Sequence, residues 1–275
     1  MKHPVWWIAW QEFTLNRRNR WVVSFAALYA LLTIAVSIFG MVTSGYAGFQ
    51  DFVRTAVSVV NLTGFVVPLF ALLLGVFSFL AQREHLELLV TQPVSRGQVI
   101  LGKYLGLLLT VLGATLLGLG IPGVVISLSV GVEGALGYGV VSLLALLLAV
   151  VFTGLAVLIA ISCHRQQIAM GVSVGVWIFF EVIYGLIMLG TTLYFSRATL
   201  KVLLIAGLLG NPIDLTRVLS LLAVGGPEFF GPAGVTLIKL TGSATLAGLV
   251  GLGALLIWVV VPVLVAMRVF SRQNL

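Results

Sequence analysis

Few residues in this chain can do chemistry: three histidines, one cysteine and eight carboxylates among 275 residues. Cys163 and His164 stand side by side, and a thiolate next to an imidazole suits copper or zinc. Two ligands leave such a site half built, and Met1, Met41, Met170, Met188 and Met267 show no short spacing that would complete it. The expectation is no metal on this chain, with Cys163 a small packing residue that has no second cysteine to pair with. Gly97 to Lys103, GQVILGK, carries the Gly-x-x-x-x-Gly-Lys of a phosphate-binding loop. Tyr104, however, occupies the place where Ser or Thr holds magnesium, and no strand leads into it. No nucleotide or other cofactor is therefore expected on this chain. Glu181, in GVWIFFEVIYG, is the only ionisable residue deep in an apolar run. A charge at the bilayer centre costs about 2.5 to 3.5 kcal/mol, so such groups face an interior or a cavity and are functional candidates by default. The plainer alternative is a hydrogen-bonded strut between two helices. No Asp or His accompanies it at that depth, which argues against an intramembrane enzyme and for a non-catalytic chain.

The elements that position these groups are membrane helices. The chain is 60% hydrophobic and only 8% charged, whereas a soluble domain carries about a quarter charged residues. A span needs about 20 apolar residues, and six runs qualify: 21–42, 56–81, 99–128, 135–162, 168–192 and 242–267. The expected fold is all-α, one transmembrane domain over 1–275. With both termini cytoplasmic, Lys2, Arg17, Arg18, Arg20, Arg83, Arg96, Lys103, Arg165, Arg268 and Arg272 fall inside, and Arg54, Arg197, Lys201, Arg217 and Lys239 outside. That is the positive-inside bias. The net charge of +7 thus reflects topology, not nucleic-acid binding, and the Arg17, Arg18, Arg20 group suits anionic membrane lipid. Ahead of the first span, residues 4–19 place Trp6, Trp10 and Phe13 on one face and Gln11, Glu12 and Asn16 away from it. This predicts an elbow helix lying in the membrane interface.

Two polar segments interrupt the apolar runs. In residues 82–98, Arg83, Glu84, His85 and Glu87 interleave with Leu86, Leu88 and Leu89, giving a short helix with a charged side and a side to bury. Pro93 ends it, and Ser95 with Gln98 forms a capping box that starts the next helix. The second segment, 193–241, is read as short helices at the outer surface, a platform for a partner. There Asn211-Pro212 makes a turn, Asp214 caps the helix that follows, and Ser220 is reachable from outside. Gly118, Gly120, Pro122 and Gly123 predict a bend in the third span. The pairs Gly102/Gly106 and Gly171/Gly175 allow close helix approach, within the subunit or between two copies.

The stretch LELLVTQPVSRGQVILGK resembles the intracellular loop of ABC-2 type permeases: a Leu-rich turn, a Thr-x-Pro-x-Ser-Arg element and an Ile-Leu-x-Gly-Lys lead-in to the third span. Within that family the chain is most similar to the NosY-type permeases of nitrous oxide reductase maturation. The similarity is carried by Asn19-Arg20-Trp21, Val67-Pro68-Leu69, Pro93 to Gln98 and Asn211 to Arg217. It departs from them at Gln82-Arg83-Glu84-His85, where those chains carry an acidic Gly-Glu-Asp-Glu cluster. The resemblance implies an inner-membrane permease subunit working as a homodimer with two copies of a cytoplasmic ABC ATPase, which would hold the ATP and magnesium. Arg83, Glu84, His85, Glu87, Leu88 and Leu89 would be the ATPase-coupling contacts. Asn211, Asp214 and Arg217 would belong to an outer surface meeting a periplasmic partner protein. A conventional exporter of a lipid, glycan or drug is the alternative.

Overall fold

The computed structural model describes residues 4–43, 49–81, 95–130, 132–163, 165–224 and 231–272. Among them every regular element is helical: α1 Pro4–Arg17, α2 Arg20–Thr43, α3 Phe49–Ala81, α4 Arg96–Val130, α5 Val132–Ser162 and α6 Gln166–Ile178. A π-helical turn, Phe179–Ile183, follows, then α7 Tyr184–Tyr194, α8 Arg197–Gly210, α9 Pro212–Val224, α10 Gly231–Thr241 and α11 Ala244–Ser271. Among the described residues six helical stretches are long and apolar enough to cross a membrane, Arg20–Phe39, Thr55–Leu80, Gly97–Val124, Gly134–Ser162, Gln166–Tyr194 and Ala244–Ser271, and the bent pair Thr199–Gly210 with Pro212–Val224 passes only when taken together. The all-α membrane architecture expected of the sequence is the architecture of the chain, with α6, the π turn and α7 making the fifth span.

Local chemistry sets the boundaries. Arg18 and Asn19 separate α1 from α2, and Asn19 Oδ1 accepts the N–H of Trp21 at 3.0 Å, occupying the N-cap that would otherwise leave that donor unpaired. The Ser95–Gln98 capping box forms reciprocally: Ser95 N–H donates to Gln98 Oε1 at 3.0 Å, and Gln98 N–H to Ser95 Oγ at 3.3 Å. At the third span α4 runs on through Pro122, and the glycines around it accommodate tyrosine rings. Gly118 faces Tyr29 and Gly123 faces Tyr138. The Tyr138 hydroxyl donates to the Leu119 carbonyl at 2.8 Å, in the turn where Pro122 supplies no N–H.

The second and fourth spans form the centre of the bundle. Their apolar windows are 61% and 67% buried, against 11% for the fifth span. A methyl group added at Gly75 would collide with Ala156, so α3 and α5 meet at a point only glycine permits. Gly102 and Gly106 of α4 make the same kind of approach to α1, facing Ile8, the Val5 and Ala9 carbonyls, and Glu12. That pair therefore packs within the subunit. Among the described residues nothing lies within 4 Å of a Cβ built at Gly171 or Gly175, and the fifth span presents them on a face that those residues leave open.

At Asn211 the chain turns by 98° between α8 and α9. Expected on the outer surface, α9 instead lies among the spans, packed on α3, α5 and α11 with Ile213, Leu215, Leu219 and Leu221 buried. Apolar and small residues surround most of PIDLTRVLSLLAV, leaving no continuous polar face for water. Ser220 is only 1% exposed, so the expectation that a probe could reach it from outside is corrected.

Candidate functional site

The fifth span changes from α-helical to π-helical over Phe179–Ile183, with Glu181 at the centre of the five residues. One extra residue in a turn displaces the i→i−4 ladder, and such bulges frequently sit at functional sites. Here the distorted turn faces the hairpin of α8 and α9. Asn211, wholly buried, donates from Nδ2 to the Phe180 carbonyl and to Asp214 Oδ2, both at 2.8 Å. Its Oδ1 accepts the Ile213 N–H at 3.0 Å. Asn211 is thus the residue that caps α9, with Pro212 in the first position, where its missing N–H costs nothing. The expected cap, Asp214, lies one turn too far along α9.

Arg217 joins the two carboxylates. Its Nη1 donates to Asp214 Oδ1 at 2.8 Å and its Nη2 to Glu181 Oε1 at 3.3 Å. The residue read as isolated in the membrane and three residues read as an outer surface therefore form one network, brought together because α9 sinks between the spans. Glu181 Oε2 and Arg217 Nε are buried without a hydrogen-bond partner among the described residues, an unusual state for polar atoms. A cavity of about 10 Å³, lined by Thr63, Thr216, Arg217 and Ser220 among others, opens beside the guanidinium and is about the size of one water molecule. Two further bonds hold the hairpin. Tyr184 OH donates to the Gly207 carbonyl at 2.9 Å, and Trp258 Nε1 to the Leu209 carbonyl at 3.1 Å. The hairpin is tied to the middle of the fifth span and to the sixth.

A second network joins α1 to α3 and α4. Trp6, Trp7 and Trp10 point out of the bundle at more than half exposure, while Ile8, Ala9, Glu12 and Asn16 are buried. The polar side of α1, read as turning away from the aromatic face, points into the protein. Glu12 Oε2 accepts from Lys103 Nζ at 2.8 Å, with side chains 5% and 1% exposed. Ser78 Oγ donates to Glu12 Oε1 or Asn16 Oδ1 at 2.8 Å, and Asn16 Nδ2 to Glu12 Oε1 at 3.2 Å. Lys103, counted above among the basic residues facing the cytoplasm, is spent on this internal pair. Sequence reasoning missed it, although a signal was present: 8, 9, 12 and 16 form one helical stripe, and Lys103 sits between Gly102 and Gly106.

The expected ATPase contacts Arg83, Glu84, His85, Glu87, Leu88 and Leu89 fall in 82–94, outside the described residues. So does His164. Among the described residues no three His, Cys, Asp or Glu side chains gather where they could hold a metal.

These features define a polytopic all-α membrane domain in which the buried charges Glu12 with Lys103 and Glu181 with Arg217 pair with one another. The sequence profile of the ABC-2 family transporter proteins matches residues 6–275, and the chain belongs to that family. It is 33% identical over 277 residues to the "Probable ABC transporter permease protein NosY" of Stutzerimonas stutzeri, covering 98% of this chain and 99% of the relative. To the protein of the same name from Pseudomonas aeruginosa PAO1 it is 36% identical over 224 residues, 79% of this chain and 81% of the relative.

Proposed function

We propose that this chain is the membrane half of an ATP-driven machine of the inner membrane, with both termini cytoplasmic. Two copies pair with two cytoplasmic ATPase subunits, and their motion serves a periplasmic partner in copper-site maturation of nitrous oxide reductase. ATP and magnesium stay on the ATPase, and no metal resides on this chain. Similarity to NosY permeases along nearly the whole chain supports the class. The observation that carries the mechanical reading is the Glu181–Arg217–Asp214–Asn211 network, which clamps the hairpin to the middle of a span.

In this reading ATP closure moves the segment holding Glu84 and Glu87, which connects α3 to α4. The Glu12–Lys103 pair makes α1 travel with α4. Helix α3 passes Gly64 beside Ile213 and Arg217, so a shift of α3 acts directly on the clamp. The clamp is an element both ends can bias, which is what physical coupling requires. Losing one desolvated charge contact costs about 1 to 3 kcal/mol. The double substitution Glu84→Ala, Glu87→Ala is therefore expected to weaken ATPase association at least about tenfold, or to uncouple hydrolysis from function. Pull-down and ATPase assays on the complex read this, and unchanged assembly with unchanged activity would remove the loop from the mechanism. Purification from native membranes should bring along an ATPase and a periplasmic protein. An ATPase alone, stimulated by a lipid, glycan or drug, would favour the exporter.

Orientation has its own test. Ser196, exposed between α7 and α8, is expected to react as Ser196→Cys in a Cys163→Ser background with a membrane-impermeant maleimide on sealed cells. Native Cys163 should react only after permeabilisation. Labelling of Cys163 in sealed cells reverses the topology.

A further inference from the structure

At the elbow face a groove of about 380 Å³ opens between α1, α2 and α4, within the ~300–1,000 Å³ of small-molecule sites. Its walls are apolar and small: Ala26, Ala27 and Ala30 on α2, and Gly113, Ala114 and Leu117 on α4. Phe13 and Arg17, near the end of α1, line it where the elbow meets the first span. The groove covers Val22 to Ala30 of α2 and Thr110 to Ile121 of α4. At 1.5 Å per residue these stretches rise about 12 and 16 Å, close to the ~15 Å hydrocarbon depth of one leaflet. An apolar channel of that depth with a guanidinium at its interfacial end has the shape and polarity of a phospholipid. Arg17 is exposed, no ion pair joins it to an acidic group among the described residues, and exposed Arg18 and Arg20 flank it in the turn to α2. That cationic rim is what an anionic headgroup complements.

We propose that this groove binds one anionic phospholipid, an acyl chain lying against Ala26, Ala30 and Gly113 and the phosphate on Arg17. The bound lipid wedges the elbow helix and the first and third spans together, on the side of α4 that the Glu12–Lys103 pair leaves open. The site needs neither the ATPase nor the periplasmic partner, so it stands or falls apart from the functional reading above.

Native mass spectrometry of the full-length chain, exchanged into micelles with dioleoylphosphatidylglycerol or dioleoylphosphatidylcholine, tests it. The wild type should retain phosphatidylglycerol in preference. Arg17→Gln removes the phosphate partner. Gly113→Leu fills the channel, since no atom lies within 4 Å of a Cβ built there. Each is expected to lower retained phosphatidylglycerol about tenfold. Arg272→Gln and Gly139→Leu, a second exposed arginine and a second open glycine, should retain the wild-type amount. Equal retention of the two lipids by the wild type overturns the proposal, whether or not any variant folds. An Arg17→Gln loss matched by Arg272→Gln reduces the effect to general surface attraction and overturns it too. Disulfide crosslinking of two Ala27→Cys copies, with lipid retention unaffected by Arg17→Gln, would make a second copy of the chain the occupant.

Discussion

Glu12→Ala is expected to lower the melting temperature of the purified protein by about 10 °C. The substitution leaves the Lys103 ammonium, 1% exposed, without its carboxylate, and breaking a buried pair from one side costs about 3 to 5 kcal/mol. Each kcal/mol shifts the midpoint of a chain this size by about 2 to 4 °C. Removing both charges is a different experiment. Glu12→Leu with Lys103→Met strands no ion, and because buried pairs roughly balance their desolvation cost, the double variant should recover most of the loss. Dye-monitored unfolding in detergent over the two single variants and the double gives the coupling directly. A Glu12→Ala protein that melts with the wild type would mean that α1 is held by the Gly102 and Gly106 contact alone.

That pair also marks how far sequence reading reaches. The spans were legible because hydrophobicity is additive along a chain, and six long apolar runs admit few other meanings. The Ser95–Gln98 capping box was legible because both partners lie within one turn. The Glu12–Lys103 and Glu181–Arg217 pairs join residues 91 and 36 positions apart, and nothing local selects one partner over another. The position of α9 hid for another reason. Asn-Pro and the Gly/Pro-rich stretch after it look like surface punctuation, yet Asn211 makes the turn by capping inward onto Phe180. Gly102 and Gly106 had two equal readings from sequence, and packing on α1 selects one. Gly171 and Gly175 keep an open face.

Arg217→Ala should abolish function while leaving the permease assembled. Among the described residues the guanidinium is the one cation bridging Glu181 and Asp214, and without it two carboxylates share a partly buried site with no described counter-charge. Arg217 and Asp214 are about one-third exposed, Glu181 much less, so the destabilisation falls below that of a sealed pair, at about 1 to 3 kcal/mol. The chain survives that loss; the clamp does not, because the hairpin keeps Asn211 on Phe180 but loses the side-chain tie to Glu181. Arg217→Lys separates charge from geometry. An ammonium restores the positive charge but cannot fork between two carboxylates as the planar guanidinium does, so stability should return further than activity. Glu181→Gln keeps an oxygen for Arg217 to donate to and should be the mildest of the three. The readouts are co-purification with the ATPase, thermal midpoint and, as the proposed function requires, nitrous oxide reductase maturation in cells lacking the native permease. Full function in Arg217→Ala would dismiss the clamp as a coupling element. If function fell only in proportion to assembly across the three variants, Arg217 would be a structural residue and the proposed coupling would have to pass elsewhere.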